Sequence, residues 1–146
     1  MTAAEPVFVD TNVLVYATQK ASARHLTANS LLNAREIGDI PLWISGQVLR
    51  EFLAAVTRPQ PGIPPMPMAM ALDQAKFFSQ RFWMAEDSPA VRSQLLTLLA
   101  THAVAGRQVH DTNIVATMLA NGITHLLTFN TADFGRFARL ITVETA

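Results

Sequence analysis

The chain has 146 residues, half of them hydrophobic, which is enough for one domain with a substantial core over residues 1–146 and too few for two. No run approaches the ~18 apolar residues of a membrane span, and the N-terminal segment does not have the pattern of a signal peptide, so we expect a cytoplasmic protein. Cysteine is absent, which excludes disulfides and thiolate metal sites.

The formal net charge is zero, which on average argues against a nucleic-acid partner, because phosphate binding depends on excess Lys and Arg. If four acidic residues were gathered into one metal site, however, the eleven basic residues would exceed the seven remaining acids by four. Nine of the eleven are Arg, whose guanidinium suits bidentate phosphate contacts. The composition is compatible with RNA binding but does not predict it.

Strands and helices alternate along the predicted chain. The apolar runs indicate strands buried on both faces, and an N-cap serine followed by proline indicates a helix start at 88–89. In chain order we predict a strand at 6–10, a helix at 22–36, a strand at 41–45, a helix at 46–57, a proline-rich loop at 58–68, helices at 68–82, 89–103 and 107–121, an edge strand within 82–87, and strands at 125–129 and 140–143. This order is typical of an α/β protein with a mainly parallel sheet between helical layers, whose sites lie beyond the carboxyl ends of the strands.

The tripeptide Asp-Thr-Asn occurs twice, at 10–12 and 111–113. About one repeated tripeptide is expected by chance in a chain of this length, so the repetition alone proves nothing. Asp10 directly follows a predicted strand, where an Asx turn with Asn12 is the ordinary interpretation. Asp111 lies on the apolar stripe of its predicted helix, either as an N-cap or as a buried carboxylate whose charge a cation offsets.

Two further acids are ambiguous when each is taken alone. Glu51 lies away from the apolar stripe of its predicted helix, on the same side as Gln47, so a solvated position is the default. Asp133, in the segment NTADFGRF, can be interpreted as the cap of a short turn. No single acid is diagnostic.

Three segments taken together are specific. The segments VFVDTNVLVYA, VLREFLAAV and VHDTNIVATMLANGITHLLTFNTADF resemble, in order and spacing, the PIN-domain ribonucleases, and among them the VapC-type toxins of bacterial toxin–antitoxin systems. The resemblance extends over the whole chain, although residues 59–92 contain no usable motif. It implies a three-layer α/β/α PIN domain, Mg²⁺-dependent cleavage of RNA phosphodiester bonds, a VapB-like antitoxin as partner, and a homodimer.

The resemblance also implies roles for individual residues. Asp10 and Asp111 match the two aspartates that bind metal in the family, and Glu51 matches its helix-borne glutamate. For the fourth acid, both Asn130 and Asp133 fit the pattern, and we favour Asp133 as the ligand with Asn130 as a polar neighbour. The residues expected to orient these ligands without binding the metal are Thr11, Asn12, Thr128 and Asn130.

A donor set made of oxygen alone, without Cys or paired His, suits Mg²⁺ or Mn²⁺ rather than zinc. His110 adjoins Asp111, but neighbours on a helix diverge by about 100°, so we interpret this histidine as structural or surface. Clustered carboxylates also predict that at least one has a raised pKa. The arginines considered as substrate contacts at the rim are Arg50, Arg58, Arg107 and Arg136.

Several alternatives stay open at the level of sequence. A haloacid-dehalogenase-like phosphatase also uses a strand-end aspartate, but requires a second acid two positions later, where this chain has Asn12. An RNA-processing nuclease outside toxin systems, an RNA-binding module without cleavage and a structure-specific DNA nuclease are further possibilities. The segment MPMAMALDQAKFFSQRFW is interpreted as a dimer contact or, more readily, as a buried intramolecular face.

Overall fold

The computed structural model describes residues 4–145, with the side chain of the last of these left out. Within this part of the chain the strands all run parallel and form one sheet of five. In chain order they are β1 (Val7–Val9), β2 (Leu42–Ser45), β3 (Trp83–Ala85), β4 (His125–Thr128) and β5 (Thr142–Thr145). Their spatial order is β3-β2-β1-β4-β5, so β1 is central and β3 is the predicted edge strand.

Helices connect the strands. They are α1 (Thr11–Thr18), α2 (His25–Ile37), α3 (Gly46–Thr57), α4 (Met68–Arg81), α5 (Pro89–Thr101) and α6 (Gln108–Ala120), with a 3₁₀ helix at Thr131–Phe137 before β5. Ser45 and Ser88 cap α3 and α5, each hydroxyl accepting a backbone N–H three residues later at 3.4 Å. None of the described helices is long and apolar enough to cross a membrane.

The core confirms a three-layer α/β/α arrangement. All three residues of β1 are buried, which requires cover on both faces of the sheet. α1 packs against α2 and α3, α3 packs against α4, and α5 packs against α6. The largest side chains that are fully buried include Phe8, Phe52, Phe78, Phe134 and Phe137.

Helix α1 is the element that the sequence does not predict. It begins immediately after β1, and its first residues include Thr11, Asn12 and Val13, which have modest helix propensity. Burial of Val13, Leu14 and Val15 stabilises the helix despite this propensity, because tertiary packing outweighs a weak local preference. The strand-to-helix connection therefore has no loop, and it fixes the residues at the end of β1.

The Met-rich segment has one side buried against the protein and one side exposed. The side of α4 that faces the protein buries Ala71, Ala75 and Phe78. Met68 and Met70 are about half exposed, at 51% and 54%, as is Phe77 at 51%. The prediction of a buried intramolecular face thus holds for the small residues, for the two aromatics Phe78 and Phe82, and in part for Met66, while the other two methionines lie mostly outside.

The topology brings two strand ends together. From β1 the chain passes to β2 on one side, while β4 lies on the other side of β1, so the connections diverge between these strands. In open parallel sheets this divergence leaves a crevice at the carboxyl ends. Asp10 directly follows β1 and Thr128 ends β4, so both lie at the crevice.

Candidate active site

A cavity of about 470 Å³ opens at the carboxyl ends of β1 and β4. Three of the predicted acids line it, each from a different element: Asp10 after β1, Glu51 on α3 and Asp111 on α6. Asn130 also lines the cavity. Residues separated by about a hundred positions in the sequence thus meet at one concave, acidic surface.

Asp10 is held by three hydrogen bonds. Its Oδ1 accepts the backbone N–H of Thr11 at 2.8 Å, which makes it the N-cap of α1. Its Oδ2 accepts the Asn12 side-chain amide at 3.1 Å and the Thr128 hydroxyl at 2.8 Å. The aspartate therefore begins a helix, where the sequence suggested an Asx turn, and only 6% of it is exposed.

Burial raises the pKa of Asp10 from its ordinary 3.8 to about 6. The hydrogen bonds from Thr128, Thr11 and Asn12 stabilise the ionised form and oppose this shift, while the nearby charge of Glu51 adds to it. Burial has the larger effect on the pKa, because three donors do not replace the water that a carboxylate loses.

Asn12 and Thr128 join the two strand ends. Asn12 donates to the Thr128 hydroxyl oxygen at 3.2 Å, and its own Oδ1 accepts the backbone N–H of Phe129 at 3.0 Å. The Thr128 hydroxyl oxygen also accepts the backbone N–H of Asn130 at 3.0 Å. These bonds fix the chain that follows β4 relative to Asp10, so the cavity floor is rigid.

Glu51 is half-buried in the cavity wall and does not lie on the solvated face that is the default for this residue taken alone. Its Oε2 accepts the Thr11 hydroxyl at 2.9 Å, and its Oε1 accepts the Gln47 side-chain amide at 3.0 Å. The side of α3 opposite its apolar stripe faces α1 and α6, and the sequence alone does not reveal this packing. Thr11 therefore donates a hydrogen bond to each acid, from its backbone N–H to Asp10 and from its hydroxyl to Glu51.

Gln47 also belongs to the site, although no motif in the sequence indicates it. Besides Glu51, its amide nitrogen donates to the backbone carbonyl of His110 at 2.8 Å, and its Oε1 accepts from Asn113 at 2.7 Å. Gln47 is buried and connects α3 to α6. Its signal in the sequence is the spacing of four from Glu51, which places both polar residues on one helix face. His110 contributes its backbone carbonyl here, and its side chain is exposed, as expected.

Asp111 lies inside the first turn of α6, whose N-cap position is Arg107, so the N-cap interpretation is wrong. Partial burial, and after it the charges of Asp10, Asp133 and Glu51, raise its pKa from the ordinary 3.8 to about 6. Arg136 opposes the shift. Among residues 4–145 no side chain or backbone group donates a hydrogen bond to this carboxylate.

The two candidates for the fourth position lie differently. Asn130 lines the cavity. Asp133 is exposed within the 3₁₀ helix, whose N-cap position is Asn130, so Asp133 is not the cap of that turn. Its charge nevertheless affects the pKa of Asp111. The amide of Asn130 thus lines the cavity and the carboxylate of Asp133 acts on Asp111 from outside that lining, and the choice of Asp133 as the fourth ligand stays a prediction.

The donor set suits a hard divalent cation. Three carboxylates and an amide line one cavity, and the two raised pKa values show carboxyl groups whose charges a cation would stabilise. In the described part of the chain, however, no three His, Asp or Glu side chains are already arranged around one point. Binding of a cation by these residues would therefore require Asp111, which accepts no hydrogen bond in the described chain, to approach the held Asp10.

The predicted rim arginines are dispersed. Arg58 lines the acidic cavity, and Arg136 is close enough to affect Asp111 while donating to the Ala103 carbonyl at 3.0 Å. Arg50 lines a separate cavity of about 210 Å³, and Arg107 precedes α6. Only Arg58 of these four contributes directly to the surface of the acidic cavity.

Comparisons with known proteins agree with this architecture. The chain is similar to VapC20 from Mycobacterium tuberculosis, a toxin that cleaves the sarcin–ricin loop, with 20% identity, a TM-score of 0.67, and coverage of 89% of this chain and 95% of that chain. VapBC2 from Rickettsia felis, bound to a promoter DNA fragment, is 19% identical, with a TM-score of 0.64 and coverage of 96% and 98%. A toxin–antitoxin complex from Klebsiella pneumoniae is 19% identical, with a TM-score of 0.65 and coverage of 93% and 96%.

At these identities the structural likeness establishes the fold alone. No curated protein sequence matches the chain. The family model of the PIN domain, by contrast, matches residues 7–140, which include every strand-end and helix residue of the acidic cavity. Together with the parallel sheet, this match shows that the chain belongs to the PIN domain family.

Proposed function

We propose that this protein is a divalent-metal-dependent endoribonuclease and the toxin of a VapBC-type toxin–antitoxin pair in the cytoplasm. The observation that carries the proposal is the meeting of Asp10, Glu51 and Asp111 in one cavity at the carboxyl end of a PIN-family sheet. Family membership supports a nuclease, and the solved structures to which the chain is similar include toxins and toxin–antitoxin complexes.

In the proposed site Asp10 and Asp111 bind Mg²⁺ or Mn²⁺, joined by Glu51 and by either Asn130 or Asp133. The cation, when bound, supplies charge stabilisation for the phosphodiester and acidifies water for in-line displacement. Asp10 fixes the position of the site, because its three hydrogen bonds hold it. Glu51, held through both oxygens by Thr11 and Gln47, orients the attacking water and accepts its proton.

Of the alternatives, one does not fit the site and another is kept as the second candidate. A haloacid-dehalogenase-like phosphatase does not fit membership of the PIN family, and the position two after Asp10 is an asparagine whose side chain is occupied by hydrogen bonds to Asp10, Thr128 and Phe129. The absence of a preassembled group of three acids within residues 4–145 favours, as the second candidate, a PIN module that binds RNA and cleaves it weakly.

The toxin role requires a partner. We propose a VapB-like antitoxin that presents a cationic side chain, such as Arg, to the acidic cavity and so competes with the metal. A homodimer is proposed as well, with the exposed Met68, Met70 and Phe77 of α4 as a contributing surface. Co-expression tests the pairing: growth should stop when this chain is expressed alone and resume with a short protein encoded beside it.

The decisive experiment is cleavage of a panel of RNAs by the purified protein. Transfer RNAs, ribosomal RNA fragments and messenger RNA should each be incubated with Mg²⁺, with Mn²⁺ and with EDTA. We expect specific cuts that leave 5′-phosphates, only when a divalent ion is present. Binding of RNA without any metal-dependent cut would support the second candidate instead.

A further inference from the structure

An arginine and two aromatic rings form a cluster beside the acidic cavity. Tyr16 on α1 lines the cavity, and Phe129 directly precedes Asn130, another lining residue. The two rings meet edge to face, with centroids 5.1 Å apart and an interplanar angle of 89°. The guanidinium of Arg24 lies over both rings, 5.3 Å from the Tyr16 centroid and 5.1 Å from the Phe129 centroid. We call these three residues the aromatic clamp.

The guanidinium of Arg24 is oriented but has no acidic partner. Within residues 4–145 its side chain makes no ion pair and no hydrogen bond, and its backbone N–H donates to the Ser22 hydroxyl at 3.1 Å. Arg35 and Arg81, by comparison, pair with Glu144 and Glu36. Cation–π contact restrains the plane of the Arg24 guanidinium and leaves its N–H donors available at the edges. The free N–H groups of this oriented guanidinium can therefore donate hydrogen bonds to an anion.

The aromatic clamp lies beside the acidic cavity, where the nearest anion would be a phosphate of a bound RNA strand. Phe129 is anchored by its backbone N–H to Asn12, which also donates to Asp10, so the clamp is tied to the same rigid floor as the acidic cavity. An RNA strand that presents one phosphodiester to the carboxylates has further phosphates on either side, and each is repelled by the acids. A fixed cation beside the cavity offsets that repulsion and sets the path of the strand.

We propose that Arg24 binds a backbone phosphate of the RNA next to the phosphodiester that is cleaved, with Tyr16 and Phe129 holding its guanidinium in place. This inference rests on the proposed ribonuclease function. Arg24 is a substrate-positioning residue, and it contributes to affinity without reading the base sequence. A nucleobase stacked on the outer face of the guanidinium is a different contact of the same strand, and the salt dependence of binding separates the two.

The test measures binding apart from cleavage. Anisotropy of a fluorescently labelled single-stranded RNA of mixed sequence gives the Kd with Mg²⁺ present, in an Asp10→Asn background that does not cut. Arg24→Gln should weaken binding about tenfold and lower the slope of log Kd against log salt by about 0.7, the contribution of one phosphate on a single strand. The matched control is Arg92→Gln, an exposed arginine of α5 that does not line the cavity.

Phe129→Leu, checked for folding by thermal unfolding, should produce a smaller loss of affinity, because one ring still orients the guanidinium. The proposal is overturned if Arg24→Gln matches Arg92→Gln in both Kd and salt slope. It is also overturned if affinity falls while the slope does not change, because the guanidinium then stacks on a base. If the wild-type protein neither binds nor cuts RNA, the proposed ribonuclease function is wrong. If the wild-type protein cuts RNA but Arg24→Gln changes neither affinity nor salt slope, only the proposal for the aromatic clamp is wrong.

Discussion

Asp10 and Asp111 reach the same pKa, about 6, in two different environments. Asp10 is buried at the end of a central strand and accepts three hydrogen bonds, so both its position and its orientation are fixed. Asp111 is half-buried on a helix, accepts no hydrogen bond within the described chain, and is repelled by three neighbouring acids. The position of the Asp10 carboxylate is therefore determined by the backbone and by hydrogen bonds. The protonation of Asp111 on the other side of the cavity is determined by burial and by neighbouring charges.

This difference between Asp10 and Asp111 explains how a site with one fixed carboxylate can still adapt to a cation. A carboxylate with every oxygen held cannot move toward a metal, while one without donors can change rotamer at little cost. The fixed Asp10 defines where the cation binds, and Asp111 moves to complete its coordination. This division agrees with the finding that no three acids of the described chain already surround one point.

Removing the fixed carboxylate should have the largest effect. Asp10→Asn keeps an oxygen that can cap α1 but removes the charge, so we expect RNA cleavage to fall at least about a thousandfold while the protein stays folded. The measurement is the single-turnover cleavage rate at saturating Mg²⁺, with circular dichroism to check the fold. Asp73→Asn on the exposed side of α4 is the matched control. Full Mg²⁺-dependent activity in Asp10→Asn would refute the assignment.

The raised pKa of Asp10 also predicts how stability depends on pH without metal. Because the pKa is higher in the folded protein than the ordinary 3.8, folding binds a proton, and stability falls as pH rises from about 4 to about 6. A shift of about two units corresponds to about 3 kcal/mol for this buried group. Above about pH 6 the loss is complete, and below about pH 4 it is absent.

Urea unfolding in EDTA at pH 4 and pH 7.5 measures this effect. The free energy of unfolding of wild type should fall by about 2–3 kcal/mol more than that of Asp10→Asn between pH 4 and pH 7.5, because the variant lacks the buried charge. For Asp111→Asn the difference from wild type should be smaller, since solvent screens a half-exposed carboxylate. Saturating Mg²⁺ should reduce the difference. Equal pH slopes in wild type and Asp10→Asn would show that the pKa of this carboxylate is not raised in the folded protein.

Gln47 offers an intermediate test, because it lies between the two environments and holds Glu51. Gln47→Leu removes both donated bonds and leaves Asn113 without its acceptor, so we expect a loss of about 1–3 kcal/mol in stability. The released Glu51 should lower kcat about tenfold with little change in KM. Gln74→Leu on α4 is the control. If Gln47 were merely structural, kcat measured well below the unfolding temperature would not change.

Features that depend on local sequence can be predicted here, and features that depend on distant partners cannot. The strands and five of the six helices can be predicted, because hydrophobic runs and helix caps are local signals, whereas the convergence of the acids is implied by the resemblance to the PIN-domain family and by no local signal. Helix α1 is not predicted, since the burial of Val13 and Leu14 stabilises it, and burial is a property of the whole fold. The environments of Glu51 and Asp111 escape prediction for a related reason. Both depend on partners far away in sequence, such as Thr11 for Glu51.

The choice between Asn130 and Asp133 is the most open part of the site, and the smallest expected effect decides it. The charge of Asp133 raises the pKa of Asp111 and does not contribute to that of Asp10. Asp133→Asn should therefore lower the pKa of Asp111 by a fraction of a unit and leave the pKa of Asp10 unchanged. Arg136→Gln should move the pKa of Asp111 in the opposite direction, because its charge favours the ionised form.

Carboxyl NMR titration of the metal-free protein measures both pKa values in each variant. The same variants also identify the fourth ligand. If Asn130 at the cavity surface binds the metal, Asp133→Asn should leave the Mg²⁺ concentration for half-maximal cleavage nearly unchanged, while Asn130→Ala raises it. If the reverse occurs, Asp133 turns inward when metal binds, and the charge-controlled side of the cavity includes a second mobile acid beside Asp111.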